Sequence, residues 1–243
     1  MSMNQAGPFI SFVVPAHNEA FEIGNTLRSI FEAARSAGIG FEVIVANDAS
    51  TDRTAEVARE AGAQVVDVDL RKISAVRNAG ARATKGDAYI FVDADTQVPA
   101  ATLRAALRAL ERGAIGGGAW VAFAEPTGLW VRLTLPIFNF IYMRLLQWAA
   151  GCFLFARRDA FWAAGGFDET LYATEEIFLS RALKRQGRFK VCRENVITSS
   201  RKIRMYSPLL ILPLLGRFLI HGLAIFRKRE GLDWWYEGKR EKP

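Results

Sequence analysis

Short apolar runs and segments of helical periodicity alternate over the first 125 residues of the chain. The apolar runs predict strands at 9–14, 41–46, 64–68 and 88–92, and the periodic segments predict helices at 20–37, 51–61, 73–84 and 99–112. Strands that alternate with helices of about 10–15 residues are typical of βαβ units and a mostly parallel sheet. The pattern therefore predicts an α/β fold in which helices flank a central sheet.

The rest of the chain is less regular. It predicts strands at 119–124, 152–156 and 189–192, a helix at 174–186, and an aromatic-rich helix at 129–150 with a kink at Pro136. Residues 207–226 form a 20-residue apolar stretch, which is long enough to cross a membrane. Arg217 near its centre, together with Pro208 and Pro213, weighs against a span. An in-plane anchor, and a core or oligomer-interface element, stay open as alternatives.

Charge separates this last segment from the rest. Residues 201–243 carry ten Lys or Arg and four Asp or Glu, a balance of +6, whereas residues 1–200 carry 22 and 21. A segment that is both basic and apolar favours an anionic membrane surface over nucleic acid as its partner. The chain has two cysteines, too few for a disulfide scaffold, and its N-terminus lacks the basic and then apolar segments of a secretory signal. We therefore expect a cytoplasmic protein that is peripheral or monotopic at the inner face of the membrane.

Candidate chemistry follows three of the predicted strands. The segments are Pro15-Ala16-His17-Asn18-Glu19, Asn47-Asp48-Ala49-Ser50-Thr51-Asp52 and Asp93-Ala94-Asp95. The carboxyl ends of parallel strands meet at one edge of a sheet, where ligands bind in open α/β folds. Neither G-x-G-x-x-G nor G-x-x-x-x-G-K-[ST] occurs there, so the chain lacks the signatures of a Rossmann dinucleotide site and of a P-loop.

Asp93 and Asp95 are the most informative pair. Residues two apart on an extended chain point to the same side, so both carboxylates can face one cation. Mg²⁺ or Mn²⁺ fits, because such ions use few protein ligands and complete their shell with substrate phosphates. The alternative is an acidic, solvated turn. Asp48 has its own alternative in turn and helix-capping chemistry, but its position at the strand end leaves it free to accept a hydrogen bond from a base N–H.

Together these motifs resemble family 2 glycosyltransferases with the GT-A fold. The matching segments are VVPAHNEA (13–20), VIVANDASTDRT (43–54), VRNAGARATKGDAYIFVDADT (76–96), GGFDE (165–169) and ATEEIFLSRALKRQG (173–187). The resemblance covers about residues 9–192. It implies one GT-A domain over 1–200, with a nucleotide-binding half at about 9–125 and an acceptor and catalytic half at about 126–200. Residues 201–243 are then a C-terminal apolar and basic helical appendage that associates with the membrane.

The resemblance also implies roles for individual residues on the donor side. Glu19 is expected near the ribose, Asp48 at the base N–H, and Asp95 as the more direct metal ligand, with Asp93 near the ribose or sugar. The remaining residues implied in nucleotide binding are Pro15, Ala16, His17, Arg77, Asn78 and Ala94. Arg77 and Asn78 are expected near the base or diphosphate.

On the acceptor side, Glu176 stands where the family usually has the Asp that serves as general base, and Glu175 is the competing candidate. Helix-dipole complementarity alone also explains acidic residues at the start of a helix. The resemblance implies an inverting, metal-dependent transfer from a nucleotide-sugar, with UDP-sugars favoured and GDP-sugars next. The hydroxyl acceptor is unidentified, with a lipid or a lipid-linked glycan as one expectation.

Two other functions stay open at this point. A nucleotidyltransferase can share the sheet and the acidic metal site, although the segment after the first strand lacks the Gly-rich, basic phosphate loop that it needs. A non-catalytic, membrane-associated adaptor could keep the fold without the activity. The oligomeric state is not determined by the sequence.

Overall fold

A computed structural model of the protein describes residues 7–201, which form an eight-stranded sheet flanked by helices. The strands are β1 Ile10–Ala16, β2 Phe41–Asp48, β3 Gln64–Val68, β4 Ala88–Val92, β5 Thr96–Gln97, β6 Gly116–Phe123, β7 Phe153–Arg157 and β8 Phe189–Thr198. The helices are α1 Ile23–Ala37, α2 Thr54–Glu60, α3 Ile73–Arg82, α4 Ala100–Glu111, α5 Leu129–Phe138, α6 Arg158–Ala163 and α7 Glu175–Gln186. A π-helical segment, Asn139–Leu145, continues α5.

The sheet has the strand order β3-β2-β1-β4-β7-β6-β8-β5. Strand β1 pairs in parallel with β2 and β4, β2 with β3, and β6 with β8. Antiparallel pairs join β4 to β7, β7 to β6, and β8 to β5. The α/β class and the mostly parallel sheet predicted from the sequence are therefore confirmed. The order reverses between β1 and β4, and open α/β sheets commonly bind ligands beyond the carboxyl ends of the strands at such a switch point.

Both faces of the sheet are buried, because alternate residues of its central strands pack in opposite directions. Phe12, Val14 and Ile90 belong to a core that also includes residues of α1 and α4. Val13 and Phe91 belong to a second core on the other face, with aromatic residues of α6 and the loop after it. This two-sided packing explains why the first strands read as continuous apolar runs.

Strand β6 begins three residues earlier than predicted, because it opens with Gly116, Gly117 and Gly118. Glycine is unfavourable in most strands and so argues against one in a sequence, but here the neighbouring strands leave no room for a side chain. A Cβ on Gly117 would lie 1.9 Å from the Lys190 carbonyl oxygen and 2.4 Å from the Phe155 ring. The prediction was also wrong in ending β8 at residue 192 and in omitting β5 and α6, which are short or irregular.

The predicted helix over 129–150 is two elements. The α-helix continues through Pro136, and the wider π-helical turns begin at Asn139. Pro136 has no N–H to donate within the helix, and π-helical turns commonly occur near such defects and at functional sites. No helix within residues 7–201 combines the length and hydropathy that a membrane crossing needs. The apolar stretch 207–226 lies outside the described residues.

Candidate active site

The loops after β1 and β2 are joined into one surface by hydrogen bonds. The Asn18 backbone N–H donates to Ser50 Oγ (2.9 Å), and Asn18 Oδ1 accepts from the Thr51 N–H (2.6 Å). The Glu19 N–H donates to Thr54 Oγ1 at 2.8 Å. Asn18 has a positive φ of 52°, a conformation that Asn tolerates better than most residues. The predicted neighbours at this sheet edge therefore do lie together.

Asp48, the last residue of β2, is buried and positions a third loop. Its Oδ1 accepts the backbone N–H groups of Leu70 (2.7 Å) and Arg71 (3.1 Å), which precede α3. Its Oδ2 makes no hydrogen bond within residues 7–201. His17 places Nδ1 within 2.5 Å of the Asp48 carbonyl oxygen. Pro15 and Ala16 are the last two residues of β1, and they pair with Ala46 and Asn47, which precede Asp48 on β2.

Arg77 on α3 is the centre of a buried ion-pair network. Its side chain is 3% exposed and donates to Asp93 Oδ1 (2.7 Å), to the Gly151 carbonyl oxygen (2.9 Å) and to Glu175. Burial opposes the charge on Arg77, but Asp93 and Glu175 outweigh this and raise the pKa of its guanidinium above the ordinary value. The sequence placed Arg77 beside the base or diphosphate. In the structure Arg77 joins two acidic motifs, and its expected contact with the base or diphosphate stays a prediction.

The Asn78 side chain hydrogen-bonds the loop that follows α6. Its Nδ2 donates to the Phe167 carbonyl oxygen (2.8 Å) and to Glu169 Oε1 (2.9 Å), and its Oδ1 accepts the Phe167 N–H (3.0 Å). These bonds fix the GGFDE loop against α3. Both of its amide donor hydrogens are used within the protein, and the nucleotide contact expected for Asn78 stays a prediction.

A second arginine reaches the acidic pair from the far end of the described chain. Arg201 donates to both carboxylate oxygens of Glu19 (3.0 and 2.7 Å) and lies 3.8 Å from Asp95 Oδ2. Ala94, between the two aspartates, is buried and accepts a hydrogen bond from Thr26 Oγ1 at 2.8 Å. The backbone of Asp93-Ala94-Asp95 is thereby fixed against α1. Glu19, which was expected near a ribose, is paired with Arg201 in this arrangement.

The two glutamates at the start of α7 differ in their surroundings. Glu175 is buried and paired with Arg77, so its carboxylate is committed to the ion-pair network. Glu176 is half-buried and accepts a hydrogen bond from the Tyr142 hydroxyl at 3.3 Å. Tyr142 belongs to the π-helical segment and stacks on Phe138, with ring centroids 4.7 Å apart. Of the two, Glu176 is the more exposed, and its carboxyl makes no ion pair with Arg77.

Electrostatics separate Glu176 further from its neighbours. Burial and the adjacent Glu175 raise the pKa of Glu176 to about 8, and Arg77 and Tyr142 offset this only in part. Burial and the nearby Glu176 raise the pKa of the Tyr142 phenol, so it stays a hydroxyl donor. Burial likewise raises the pKa of the Cys152 thiol beside Asp93. A carboxyl with a pKa near neutrality is suited to proton transfer at physiological pH.

The acidic residues fit a divalent ion that shares its ligands with a substrate. Within residues 7–201, no group of three or more His, Cys, Asp or Glu side chains is arranged to hold a metal ion by itself. Mg²⁺ commonly takes one or two carboxylates and completes its shell with phosphate oxygens and water. Asp95 supplies such a carboxylate, and Asp93 is adjacent but already paired with Arg77. The donor set therefore fits a metal–diphosphate site and does not fit an all-protein metal cage.

Two of these residues were missed by sequence reasoning. Arg201 was grouped with the basic tail, and Tyr142 with an aromatic helix of unassigned role. Arg201 directly follows Ser199-Ser200 at the end of β8, and a run of polar residues after a strand at the functional edge is the signal that could have found it. Tyr142 has no such signal, because its contact depends on the π-helical turn.

Comparison with known proteins identifies the family. Residues 11–163 match the family described as Glycosyl transferase family 2, and the chain belongs to it. The resemblance and the enzyme class predicted from the sequence, glycosyltransferase, are confirmed at this level.

Among curated relatives, an undecaprenyl-phosphate 4-deoxy-4-formamido-L-arabinose transferase of Edwardsiella ictaluri is 34% identical over 112 residues, which is 43% of this chain and 34% of that protein. A 4,4'-diaponeurosporenoate glycosyltransferase of Staphylococcus aureus is 48% identical over 59 residues, 24% of this chain and 15% of the relative. The matches thus span about a third or less of these relatives' length.

Solved structures share the fold. A glucosyl-3-phosphoglycerate synthase of Mycobacterium tuberculosis, in complex with Mn²⁺, UDP and glucosyl-3-phosphoglycerate, gives a TM-score of 0.63 at 23% identity, over 90% of this chain and 80% of that one. The mannosyltransferase PcManGT of Pyrobaculum calidifontis, in complex with GDP-Man and Mn²⁺, gives 0.66 at 19% identity, over 87% and 65%. The GT-A fold predicted from the sequence is confirmed by these neighbours.

Replacing Arg77 with methionine should destabilise the protein strongly. The change leaves Asp93 and Glu175 without their shared cation, and removing one partner of a buried ion pair costs about 3–5 kcal/mol. Urea denaturation at pH 7 measures the loss. Arg82→Met on the same helix is the matched control, because Arg82 is exposed and its 3.5 Å pair with Glu169 is a surface pair. Equal denaturation midpoints for the two variants would contradict the central role of Arg77.

Glu176 should make the stability depend on pH. Its folded-state pKa of about 8 lies above the ordinary value of 4.5 for Glu, so the folded state holds a proton that the unfolded state releases. Stability therefore falls as the pH rises from about 4.5 to about 8. Glu176→Gln lacks this carboxyl. Its advantage over the wild type in free energy of unfolding should therefore grow by about 1–3 kcal/mol from pH 5 to pH 9. Denaturation midpoints across this range, with the exposed Glu111→Gln as control, provide the test. A constant difference between Glu176→Gln and wild type would refute the raised pKa.

Proposed function

We propose that this protein is an inverting, metal-dependent glycosyltransferase that moves a sugar from a nucleoside diphosphate donor to a hydroxyl acceptor. The observation that carries the proposal is the Arg77 network. It joins Asp93, next to the candidate metal ligand Asp95, to Glu175, next to the candidate base Glu176. A donor-activating group and a proton acceptor in one site are what a single displacement at a sugar carbon needs.

The donor side supports a nucleotide. Asp48 keeps its Oδ2 for a ligand N–H, and Asn47 beside it has a buried Oδ1 without a partner within residues 7–201. Buried polar atoms are nearly always paired, so an unpaired acceptor at the strand end is consistent with a ligand contact. The structural neighbours bind UDP with Mn²⁺ and GDP-Man with Mn²⁺, and we favour a UDP-sugar with a GDP-sugar next.

In this proposal Asp95 holds the Mg²⁺ or Mn²⁺ ion, with Asp93 beside it. When bound, the ion offsets the negative charge that develops on the leaving diphosphate. Arg201, 3.8 Å from Asp95, adds a positive charge at the same place. Asp93 keeps its contact with Arg77, so the aspartates have separate tasks.

Glu176 takes the proton in this mechanism. The acceptor oxygen attacks the anomeric carbon, its O–H proton passes to the Glu176 carboxylate, and the bond between that carbon and the diphosphate oxygen breaks. The nucleoside diphosphate leaves with the bonding electrons, and one displacement inverts the configuration. Tyr142 orients the carboxyl through its hydroxyl hydrogen bond.

A hydroxyl acceptor accounts for the need for a base, because an already ionised phosphate acceptor would have no proton to give up. We propose that the acceptor is a lipid or a lipid-linked glycan. Support for a lipid acceptor comes from the apolar surface next to Glu176 described below. Relatives named as undecaprenyl-phosphate transferases support the lipid but not the hydroxyl, because their name refers to a lipid phosphate. A peripheral position at the membrane accords with such an acceptor.

A nucleotide panel tests the donor site. UDP, GDP, CDP and dTDP are added separately with Mn²⁺, and thermal unfolding is followed. UDP should give the largest rise in Tm, because a ligand that binds the folded state alone stabilises it. Asp95→Asn should lose the Mn²⁺-dependent part of the rise while keeping its unliganded Tm near that of the wild type. Equal shifts with all four nucleotides would exclude a base-selective pocket around Asp48.

Sugar transfer tests the base. Glu176→Gln should retain nucleotide binding but lose transfer by about 10²–10⁴-fold, the usual contribution of general-base catalysis. The wild-type rate should rise with pH through about 8, as the carboxyl ionises. Glu175→Gln is the comparison variant, and its defect should appear in stability as well as in rate. A mild Glu176→Gln beside a folded but inactive Glu175→Gln would reverse the assignment.

A further inference from the structure

Helix α5 and the π-helical segment expose a large apolar surface. Of the twelve large apolar side chains exposed within residues 7–201, nine lie between residues 129 and 146. We call these nine the apolar band: Leu129, Trp130, Leu133, Ile137, Phe138, Phe140, Ile141, Leu145 and Leu146. Large exposed apolar patches are uncommon on soluble proteins, and they commonly mark a site for a partner or a membrane.

The helices under the band are attached to the domain by a narrow stripe. Val131, Asn139 and Met143 are the buried residues of the two elements. The Asn139 side chain accepts the Val121 N–H (3.3 Å) and donates to the Val121 carbonyl oxygen (3.0 Å). It therefore hydrogen-bonds the backbone of β6 as a residue of a neighbouring strand would. This is the reverse of an ordinary amphipathic surface helix, whose apolar face is buried and whose polar face is exposed.

The charges around the band are positive. No Asp or Glu occurs between residues 126 and 158, while Arg132 and Arg144 are exposed within the band. Lys184 of α7 donates to the Leu146 carbonyl oxygen at 2.8 Å, which brings the basic end of α7 beside the band. Apolar area joined to exposed cationic side chains is the combination that binds an anionic lipid surface.

The band also borders the candidate base. Tyr142 stacks on Phe138 of the band and donates its hydroxyl hydrogen to Glu176. A molecule lying against the band is therefore one aromatic ring away from the carboxyl that would receive the acceptor's proton.

We propose that the apolar band is the surface by which this protein lies on an anionic lipid bilayer, and that the acceptor enters beside Tyr142 from that bilayer. The bilayer contact stands on the exposure and charge of the band. The entry of the acceptor rests on the proposed function.

Vesicle partition tests the bilayer contact with the full chain. Vesicles of phosphatidylcholine, with and without phosphatidylglycerol, are mixed with wild type and with the triple variant Leu133→Gln, Ile137→Gln, Leu145→Gln. The variant should partition about tenfold or more weakly, because it removes three large apolar side chains from the buried area. The control is Phe21→Gln with Leu70→Gln, which removes exposed apolar side chains outside the band and should partition like the wild type.

A second readout locates the contact without disturbing the fold. Brominated phosphatidylcholine quenches tryptophans that enter the bilayer, and Trp130 is the tryptophan of the band. Trp130→Phe should lose part of the quenching that the wild type shows. Quenching that is the same in Trp130→Phe and wild type would assign the contact to another part of the chain and overturn the proposal.

The charge contribution is measured with Arg132→Gln and Arg144→Gln together. The preference for phosphatidylglycerol vesicles should fall by about tenfold, since each basic residue near an anionic surface contributes measurably. Unchanged partition of the triple variant overturns the bilayer contact.

Two results in the absence of lipid would also overturn the proposal. A mass in light scattering that falls from dimer to monomer in the triple variant assigns the band to a second copy. If the triple variant is monomeric and has a lower urea midpoint than the wild type, the result assigns the band to a contact with residues 207–226 of the same chain. Failure of the nucleotide panel would refute the proposed function without altering any vesicle result, so the two are separable.

Discussion

The buried guanidinium of Arg77 is the interaction on which the candidate site depends. It sits on α3 and contacts Asp93 after β4, Gly151 before β7 and Glu175 at the start of α7. Taking a charge out of water costs several kcal/mol, about as much as a domain can lose, unless close partners compensate for it. Arg77 therefore requires all three segments in place at once. The same requirement explains why the acidic motifs of the two halves of the chain meet.

The network also divides the work between adjacent residues of the same type. Of the two aspartates, Arg77 binds Asp93 and not Asp95. Of the two glutamates, it binds Glu175 and not Glu176. Asp95 lies 3.8 Å from Arg201, and Glu176 accepts a hydrogen bond from Tyr142. A carboxyl whose pKa is shifted by its environment can perform a task that its neighbour does not. Here the raised pKa of Glu176 follows from burial without a directly paired cation.

The two sides of the site are built from different materials. The proposed donor side consists of polar loops that follow β1, β2 and β3 and hydrogen-bond one another, a rigid arrangement suited to a small polar ligand. The proposed acceptor side consists of a helix that widens into π-helical turns and exposes apolar side chains. This contrast fits the proposed reaction, which joins a water-soluble donor to an apolar acceptor. It also explains why the π-helical turn matters, since that turn brings Tyr142 onto Glu176.

The sequence by itself determined the α/β class, the sheet edge and the acidic motifs, because apolar periodicity and strand-end chemistry are local properties. It also limited the candidates for the proposed base to Glu175 and Glu176. The tertiary structure decided what those residues touch. Arg77 and Glu175 are 98 positions apart, and Arg201 and Glu19 are 182 apart, so no local pattern could pair them. The glycine-led strand β6 and the π-helical turn were missed for the same reason: close packing against neighbouring strands and a widened helix are set by contacts that form only when the chain is folded.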